Sequence, residues 1–444
     1  MGFKGLTIID ANYKKALMLH NSGRSKAALE VVSQFSGASL SLSILHGVIL
    51  RSIGKYSVAE ILFRRLLNDG IEDPVIRINL ANILIDMGRC DSAISVLEPL
   101  SELNQAVCRT LGLAFLYNND FKSAVDVFDA LLQQEPENAD LQWHLSISCL
   151  SAGLYERGWL FYESRKRLDR YRSNYTELHW PELSYLAGAS VLIYSEQGFG
   201  DNIQFSRFLP MLVDLGARIT LVVKPELLRL FGTIKGIEVV REAKSNDFDY
   251  VASLLSLPYL LKLHSPADLK LKKRVFELPN ANTCVKKKLR VGLVWSGNMK
   301  PKDRSITLVE LSELFKLTEI DLVSLQFDEN QKEISKNYLT PFISVPKADV
   351  TDFYGTASIM SEVDLIISID SAPLHLACML GVPTIGLLLH SSDWRWQSEE
   401  CKQPWYEELT LLRQSQPGCW DKVVSELIKI VRSKVGEKSV SGID

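Results

Sequence analysis

The chain has 444 residues, and at roughly 100–200 residues per domain it is expected to form two or three domains with ample core. Its 46% hydrophobic and 23% charged content argues against disorder. With 50 Lys plus Arg against 53 Asp plus Glu, the net charge of −3 lacks the cationic surplus of a generic nucleic-acid binder.

The first 170 residues repeat one pattern: a helical stretch, a Gly or Asn at a turn, and a small residue five positions on. The turn positions are Gly23, Gly54, Gly88 and Asn119, and the small residues are Ala28, Ala59, Ala93 and Ala124. The spacings are 31, 34 and 31, and a fifth unit follows 34 further on with Gly153 and Gly158. Such a period predicts stacked helix pairs that bury their apolar faces against their neighbours. The units resemble the tetratricopeptide repeat. The fourth matches best, with Leu111, Gly112, Phe115, Phe121, Ala124, Phe128 and Pro136 in the family's order. The resemblance implies an α-superhelix over 1–172 that docks a peptide segment.

Near residue 190 the pattern changes. Short apolar runs at 191–196, 218–223, 237–240 and 249–253 alternate with helical stretches. After a polar linker around 278–290, further runs follow at 290–296, 321–327, 364–370 and 384–390, and a last helix at 419–435. Alternation of this kind predicts two parallel doubly wound domains, 173–284 and 285–436, with a flexible tail at 437–444. Ligands of such sheets lie beyond the carboxyl ends of the strands, so the chemistry is expected between the two domains.

Four loops carry polar chemistry. In EQGFGDNIQF, Gly198 and Gly200 permit a tight turn and a close backbone approach, and Asp201 is either a local cap or a carboxylate for an acceptor hydroxyl. Ile203 stands where a dinucleotide fingerprint needs a third Gly, and no GxxxxGK[ST] loop occurs. In IISIDSAPLHLACMLGVP, the strand is expected to end at Asp370. Ser371 is placed to cap the next helix, Pro373 suits its first turn, and His375 in that turn either packs and hydrogen-bonds locally or, as the surrounding Asp-Ser-x-Pro-x-His pattern favours, meets a phosphate at the helix start. In VWSGNMKPKDRS, Ser296, Gly297 and Asn298 form a polar turn, and Lys300, Lys302 and Arg304 bring cations to it. In HSSDWRWQSEECKQPWYEEL, Trp394, Trp396, Trp405 and Tyr406 form either a packed cluster with Arg395 stacked on Trp or a wall for a base or sugar.

From about Glu163 to Val431 the chain resembles bacterial glycosyltransferases fused to tetratricopeptide repeats and, more distantly, heptosyltransferase-like enzymes. The matching segments are GWLFYESR, EQGFGDNIQFSRF, LVWSGN, DLIISIDSAPLHLACMLGVP, DWRW and PWY. The resemblance implies α + α/β architecture, the repeats followed by two facing Rossmann-like domains (the GT-B fold). It implies a metal-independent transferase with a nucleotide sugar as substrate, no cofactor and a protein acceptor, flagellin or another surface protein. Asp201 maps onto the base. Ser371, Ala372 and His375 map onto the grip on the donor diphosphate, with Gly198, Gly200, Ser296, Gly297, Asn298, Arg304, Asp370 and Trp394 around it. Relatives carry a His and an Asn-Asp between the WSGN turn and the Arg-Ser. Here that stretch is shortened to MKPKDRS, leaving Asp303 as the counterpart. A lipid-linked or polysaccharide acceptor, or a non-catalytic scaffold, are the alternatives.

Three exclusions complete the reading. No run approaches the roughly 18 apolar residues of a membrane span, and Asp10, Lys14 and Lys15 interrupt the N-terminal stretch. A cytoplasmic chain with no transmembrane segment and no nucleic-acid partner is therefore expected. The seven cysteines form no CxxC pair, so neither a disulfide framework nor a metal site is expected.

Overall fold

A computed structural model describes residues 3–35, 37–100, 104–178, 180–270, 274–278, 288–297, 303–347, 350–396 and 403–441. The chain divides into two compact units, Met1–Ser148 and Cys149–Asp444.

The first unit is a run of paired helices: Phe3–Asn21 with Ser25–Ser33, Leu40–Ser52 with Tyr56–Asn68, Pro74–Asp86 with Cys90–Leu97, and Gln105–Tyr117 with Phe121–Gln134. The turns fall on the repeated positions. Gly23, Gly54, Gly88 and Asn119 have φ of 79°, 78°, 72° and 62°, a left-handed conformation that Gly, and after it Asn, adopts at least cost. Ala28, Ala59, Ala93 and Ala124 are wholly buried, which lets the paired helices close on one another. Gly112 shows how tight that seam is, since a Cβ there would lie 2.8 Å from Cζ of Phe128.

The fifth repeat departs from the expected boundary at 172. Its helix Tyr155–Tyr162 and the turns after it pack within the second unit. The reason is chemical. Trp159 packs edge-on against Phe205, Trp394 and Trp405 at ring distances of 6.0, 5.6 and 6.4 Å, and Arg165 is buried among polar groups of the first sheet.

The second unit holds two parallel sheets. The first contains β1 (Ser190–Tyr194), β2 (Arg218–Val222), β3 (Ile237–Val240) and β4 (Tyr250–Ser253) in the order β3-β2-β1-β4. The second contains β5 (Leu289–Val294), β6 (Ile320–Ser324), β7 (Ile343–Ser344), β8 (Leu365–Ile369), β9 (Thr384–Leu388) and β10 (Leu409–Arg413). Its order is β10-β9-β8-β5-β6-β7, again all parallel. Strands β8 and β9 are buried at every residue, as expected of central strands covered on both faces. The sequence reading lacks β7 and β10. One has only two residues, and the other is a half-buried edge strand without an apolar run. The last helix runs from Asp421 to Ser441, past the expected start of a tail at 437. Lys438 anchors it, reaching Asp364 at 2.5 Å and the carbonyl of Lys288 at 3.1 Å.

Strand order locates the site. The chain reverses direction across the first sheet between β1 and β4, and across the second between β5 and β8. A crevice opens beyond the carboxyl ends of parallel strands at such a reversal. Glu196, Ser253, Ser296, Gly297, Asp370 and Ser371 follow or end those four strands.

Candidate active site

Two helix starts meet at the centre of the second unit. The helix Phe199–Phe205 follows β1, and Ala372–Met379 follows β8. Gly200 makes the contact possible. A Cβ there would lie 3.1 Å from Cδ2 of His375 and 3.3 Å from Cα of Ala372. The strained residue of the loop is Gln197, with φ of 58°, whereas Gly198 has an ordinary extended backbone and serves as the helix N-cap. The expected turn role of Gly198 therefore passes to its neighbour. Asn202 ties the loop from within, donating to the carbonyls of Glu196 at 2.9 Å and Gly198 at 2.7 Å. Lys224 holds the carbonyl of Gln197 at 2.9 Å.

Asp201 lies in the first turn of its helix. Its Oδ2 accepts the Gly198 N–H at 2.9 Å, and its Oδ1 receives Nη2 of Arg395 at 2.5 Å. Asp201 is thus a local cap that also holds Arg395. A carboxylate offers about four lone-pair directions, so two remain for another donor. Arg395 also donates to Asp393 at 2.8 Å and to Gln204, and lies over Trp394 at 4.3 Å. Burial alone would weaken its hold on the proton, but Asp393 and Asp201 outweigh it and push the guanidinium pKa up.

His375 is only 5% exposed. Its Nδ1 is 2.8 Å from the Tyr406 hydroxyl, and its ring stacks on Trp396 at 5.3 Å. Burial, then the guanidinium groups of Arg395, Arg207 and Arg304, hold its pKa well below the ordinary 6.5. The imidazole is neutral at neutral pH. Asp370, at the end of β8, is pushed the other way by burial and by Asp393, against the pull of Arg304, whose Nη1 is 3.3 Å from it. Ser371 occupies the N-cap position, but its hydroxyl bonds that of Ser368 at 3.2 Å and makes no capping bond. Ala372 is the first helical residue.

The turn after β5 is closed by one partner from outside its motif, Gln326, and one from the motif's own end, Ser305. The Ser296 N–H donates to Gln326 at 3.1 Å, and the Gly297 N–H to Ser305 at 3.3 Å. Gly297 also allows close packing, since a Cβ there would lie 3.2 Å from Ile369. Asn298, Lys300 and Lys302 lie outside the described residues. Asp303 accepts the Ser305 N–H at 3.0 Å.

Trp394 does not wall an open cleft in this structure. It is buried between Trp159 at 5.6 Å and Trp405 at 5.8 Å, so it braces Arg395 from beneath. Gln403 has a structural task, as its Oε1 accepts the backbone N–H of Trp405 at 2.8 Å and of Tyr406 at 3.0 Å. Sequence reasoning named Tyr406 only as part of the aromatic cluster and missed its bond to His375, the roles of Arg165 and Arg207, and the Arg395–Asp201 pair. Arg207 binds the carbonyls of Gln204 (2.9 Å), Leu269 (3.1 Å) and Trp405 (2.7 Å), joining three distant segments. Only long-range pairing identifies them, because no local pattern distinguishes these residues from surface arginines. No group of three or more His, Cys, Asp and Glu suited to a metal occurs among the described residues. No helix among them is long and apolar enough to cross a membrane.

Residues 109–164 match the tetratricopeptide repeat, and residues 328–427, which include Asp370, His375, Arg395 and Tyr406, match glycosyltransferase family 9 (heptosyltransferase). Protein FlbA of Caulobacter vibrioides is 25% identical over 463 residues, covering 94% of this chain and 72% of FlbA. Among solved structures, MamA AMB-1 aligns with 37% of this chain and 93% of its own at 20% identity and a TM-score of 0.29. A thermophilic TPR protein of Thermus thermophilus aligns with 36% of this chain and 91% of its own at 15% identity and a TM-score of 0.33. The chain is thus similar to FlbA over most of its length, with a segment that matches the tetratricopeptide repeat and one that matches glycosyltransferase family 9.

Proposed function

We propose that this glycosyltransferase moves a sugar from a nucleotide-sugar donor to a protein acceptor docked by the repeats. The observation that carries the reading is the contact of the two helix starts at Gly200, which brings the Asp201 loop against the His375 helix. The donor diphosphate lies at the start of Ala372–Met379, beside Ser371, His375 and Arg304. As the bond between sugar and phosphate breaks, the leaving oxygen keeps the electron pair. Helix amides, the imidazole and the guanidinium stabilise that growing charge without reorganisation, and no metal is invoked. Asp201 takes the proton of the acceptor hydroxyl as the new glycosidic bond forms. Facing Rossmann-like domains of the GT-B type shield the donor from water. The repeats raise the local concentration of the acceptor, as a second binding module on one chain does.

A thermal-shift and calorimetric panel of ADP, GDP, UDP and CMP with their sugars tests the reading. One nucleotide is expected to stabilise the protein, with the effect lost in His375→Ala. Asp201→Asn is expected to lower transfer by about 10²–10⁴-fold while donor affinity stays within about twofold. No stabilisation by any nucleotide overturns the transferase site. Undiminished turnover in Asp201→Asn removes that residue from the role of base.

A further inference from the structure

The His375 side chain is held from several sides. Trp396 covers one face, and its Cδ2 edge abuts Gly200 of the opposing loop. On the other edge, Nδ1 meets the Tyr406 hydroxyl at 2.8 Å. The charged and titratable groups around it are Arg395, Arg207, Arg304 and Tyr406. Tyr406 is itself fixed. Gln403 holds its backbone N–H, and the Arg207 guanidinium lies over its ring at 4.4 Å. Arg207 is in turn anchored by three backbone carbonyls.

The hydrogen-bond inventory then leaves one arrangement. A neutral imidazole has one N–H and one lone pair. A buried phenol must place its proton on an acceptor. Arg207 has only donors to offer it. Among the described residues, Nδ1 of His375 is the one hydrogen-bond acceptor recorded at the Tyr406 hydroxyl. The phenol therefore donates, Nδ1 accepts, and the imidazole proton resides on Nε2.

We propose that Tyr406 is a positioning residue that fixes His375 as the Nε2–H tautomer, so that His375 meets an anionic oxygen of the donor as an uncharged hydrogen-bond donor. The last clause rests on the donor site described above, whereas the tautomer does not. In this arrangement His375 supplies direction and the guanidinium groups supply charge. The proton on Nε2 stays on the enzyme through turnover, since a neutral imidazole is a poor acid toward a leaving diphosphate.

The test is a two-bond 1H–15N correlation spectrum of the full chain labelled at histidine, recorded from about pH 5.5 to 8. One histidine is expected to keep the neutral Nε2–H pattern across that range, and His375→Gln identifies it by its loss. In Tyr406→Phe, which keeps the ring and removes the hydroxyl, the same signal is expected to move toward a mixture of tautomers. An Nδ1–H or imidazolium pattern in the wild-type protein overturns the proposal without recourse to any variant. So does an unchanged pattern in Tyr406→Phe. The donor-site reading is separated by calorimetry with the stabilising nucleotide. Tyr406→Phe is expected to weaken its affinity by about fivefold to tenfold, the loss of one directed hydrogen bond. If the tautomer depends on Tyr406 but no nucleotide binds any form, the donor-site reading fails and the tautomer assignment stands. If nucleotide binds equally to wild type and Tyr406→Phe, the positioning role is overturned.

Discussion

His375 and Arg165 are both buried, and burial disfavours the charged form of each, but their partners differ. His375 has its protonated form disfavoured by burial, then by the guanidinium groups of Arg395, Arg207 and Arg304, and no carboxylate among the described residues offsets them. Its folded pKa lies below the unfolded value near 6.5. At pH above that value neither state holds the proton, and the residue makes no pH-dependent contribution. As pH falls below about 6.5 the unfolded chain takes up a proton that the native chain refuses, and stability is lost. The wild-type protein is expected to lose up to about 1.4 kcal/mol per pH unit more than His375→Gln in that window, measured by urea unfolding of both. Arg165, by contrast, is fully paired. It reaches Glu163 at 2.7 Å, Glu196 at 2.5 Å and the Ser256 hydroxyl at 2.9 Å with no exposed surface. Removing one partner leaves buried carboxylates uncompensated. Arg165→Met is expected to cost roughly 3–5 kcal/mol, and Glu196→Gln less, both read from denaturant midpoints. Equal small losses in the two variants would show that water reaches the network. The segment containing Arg165 was legible as part of GWLFYESR, but beyond neighbouring Glu163 its partners Glu196, Ser253 and Ser256 lie 31, 88 and 91 residues away.

At the scale of elements, period and punctuation were highly informative. The left-handed turns at Gly23, Gly54, Gly88 and Asn119 and the buried alanines after them were readable because both are local requirements of backbone and packing. The central strands were readable because burial on both faces demands an unbroken apolar run. Strands β7 and β10 were not, since one has only two residues and the other is half-buried. The helix starts Phe199–Phe205 and Ala372–Met379 were each legible, while their mutual contact was not. That contact gives a direct prediction. Gly200→Ala forces a methyl group against Cα of Ala372 and Cδ2 of His375, so the two starts must separate by a few tenths of an ångström. The fold is expected to survive, with nucleotide affinity or transfer falling about tenfold in calorimetry and single-turnover assays. Unchanged values would show that the loop yields without disturbing the site. A second set of contacts joins the same two sheets. Arg229 pairs with Asp352 at 3.0 Å, and Phe199 packs on Phe353 at 5.0 Å.

At the scale of the whole molecule, the boundary between compact units falls at Ser148, inside the fifth repeat. Two truncations therefore separate sharply. A chain of residues 149–444 keeps Trp159, Tyr162 and Arg165 and is expected to melt cooperatively and to bind nucleotide like the full protein. A chain of residues 173–444 loses them, exposing Phe205, Trp405 and the carboxylate of Glu196, and is expected to unfold or aggregate. Differential scanning calorimetry distinguishes the two, and equal stability would mean that the fifth repeat is no part of the second unit's core. The amino-acid sequence by itself determined the repeat array, the two parallel α/β blocks and the loops that bear Asp201, Ser296 and His375. Each of these follows from chain neighbours within a few tens of residues, through periodicity, turn conformation and strand burial. Only the tertiary structure decided that Arg395 pairs with Asp201, that Tyr406 holds His375, that Trp394 is core and that Arg165 belongs to the sheet rather than to the repeats. Those facts depend on groups up to 235 residues apart, as Trp159 and Trp394 are. In a buried, poorly screened site such ionic and polar pairings are set by three-dimensional proximity, to which no local pattern of residues corresponds.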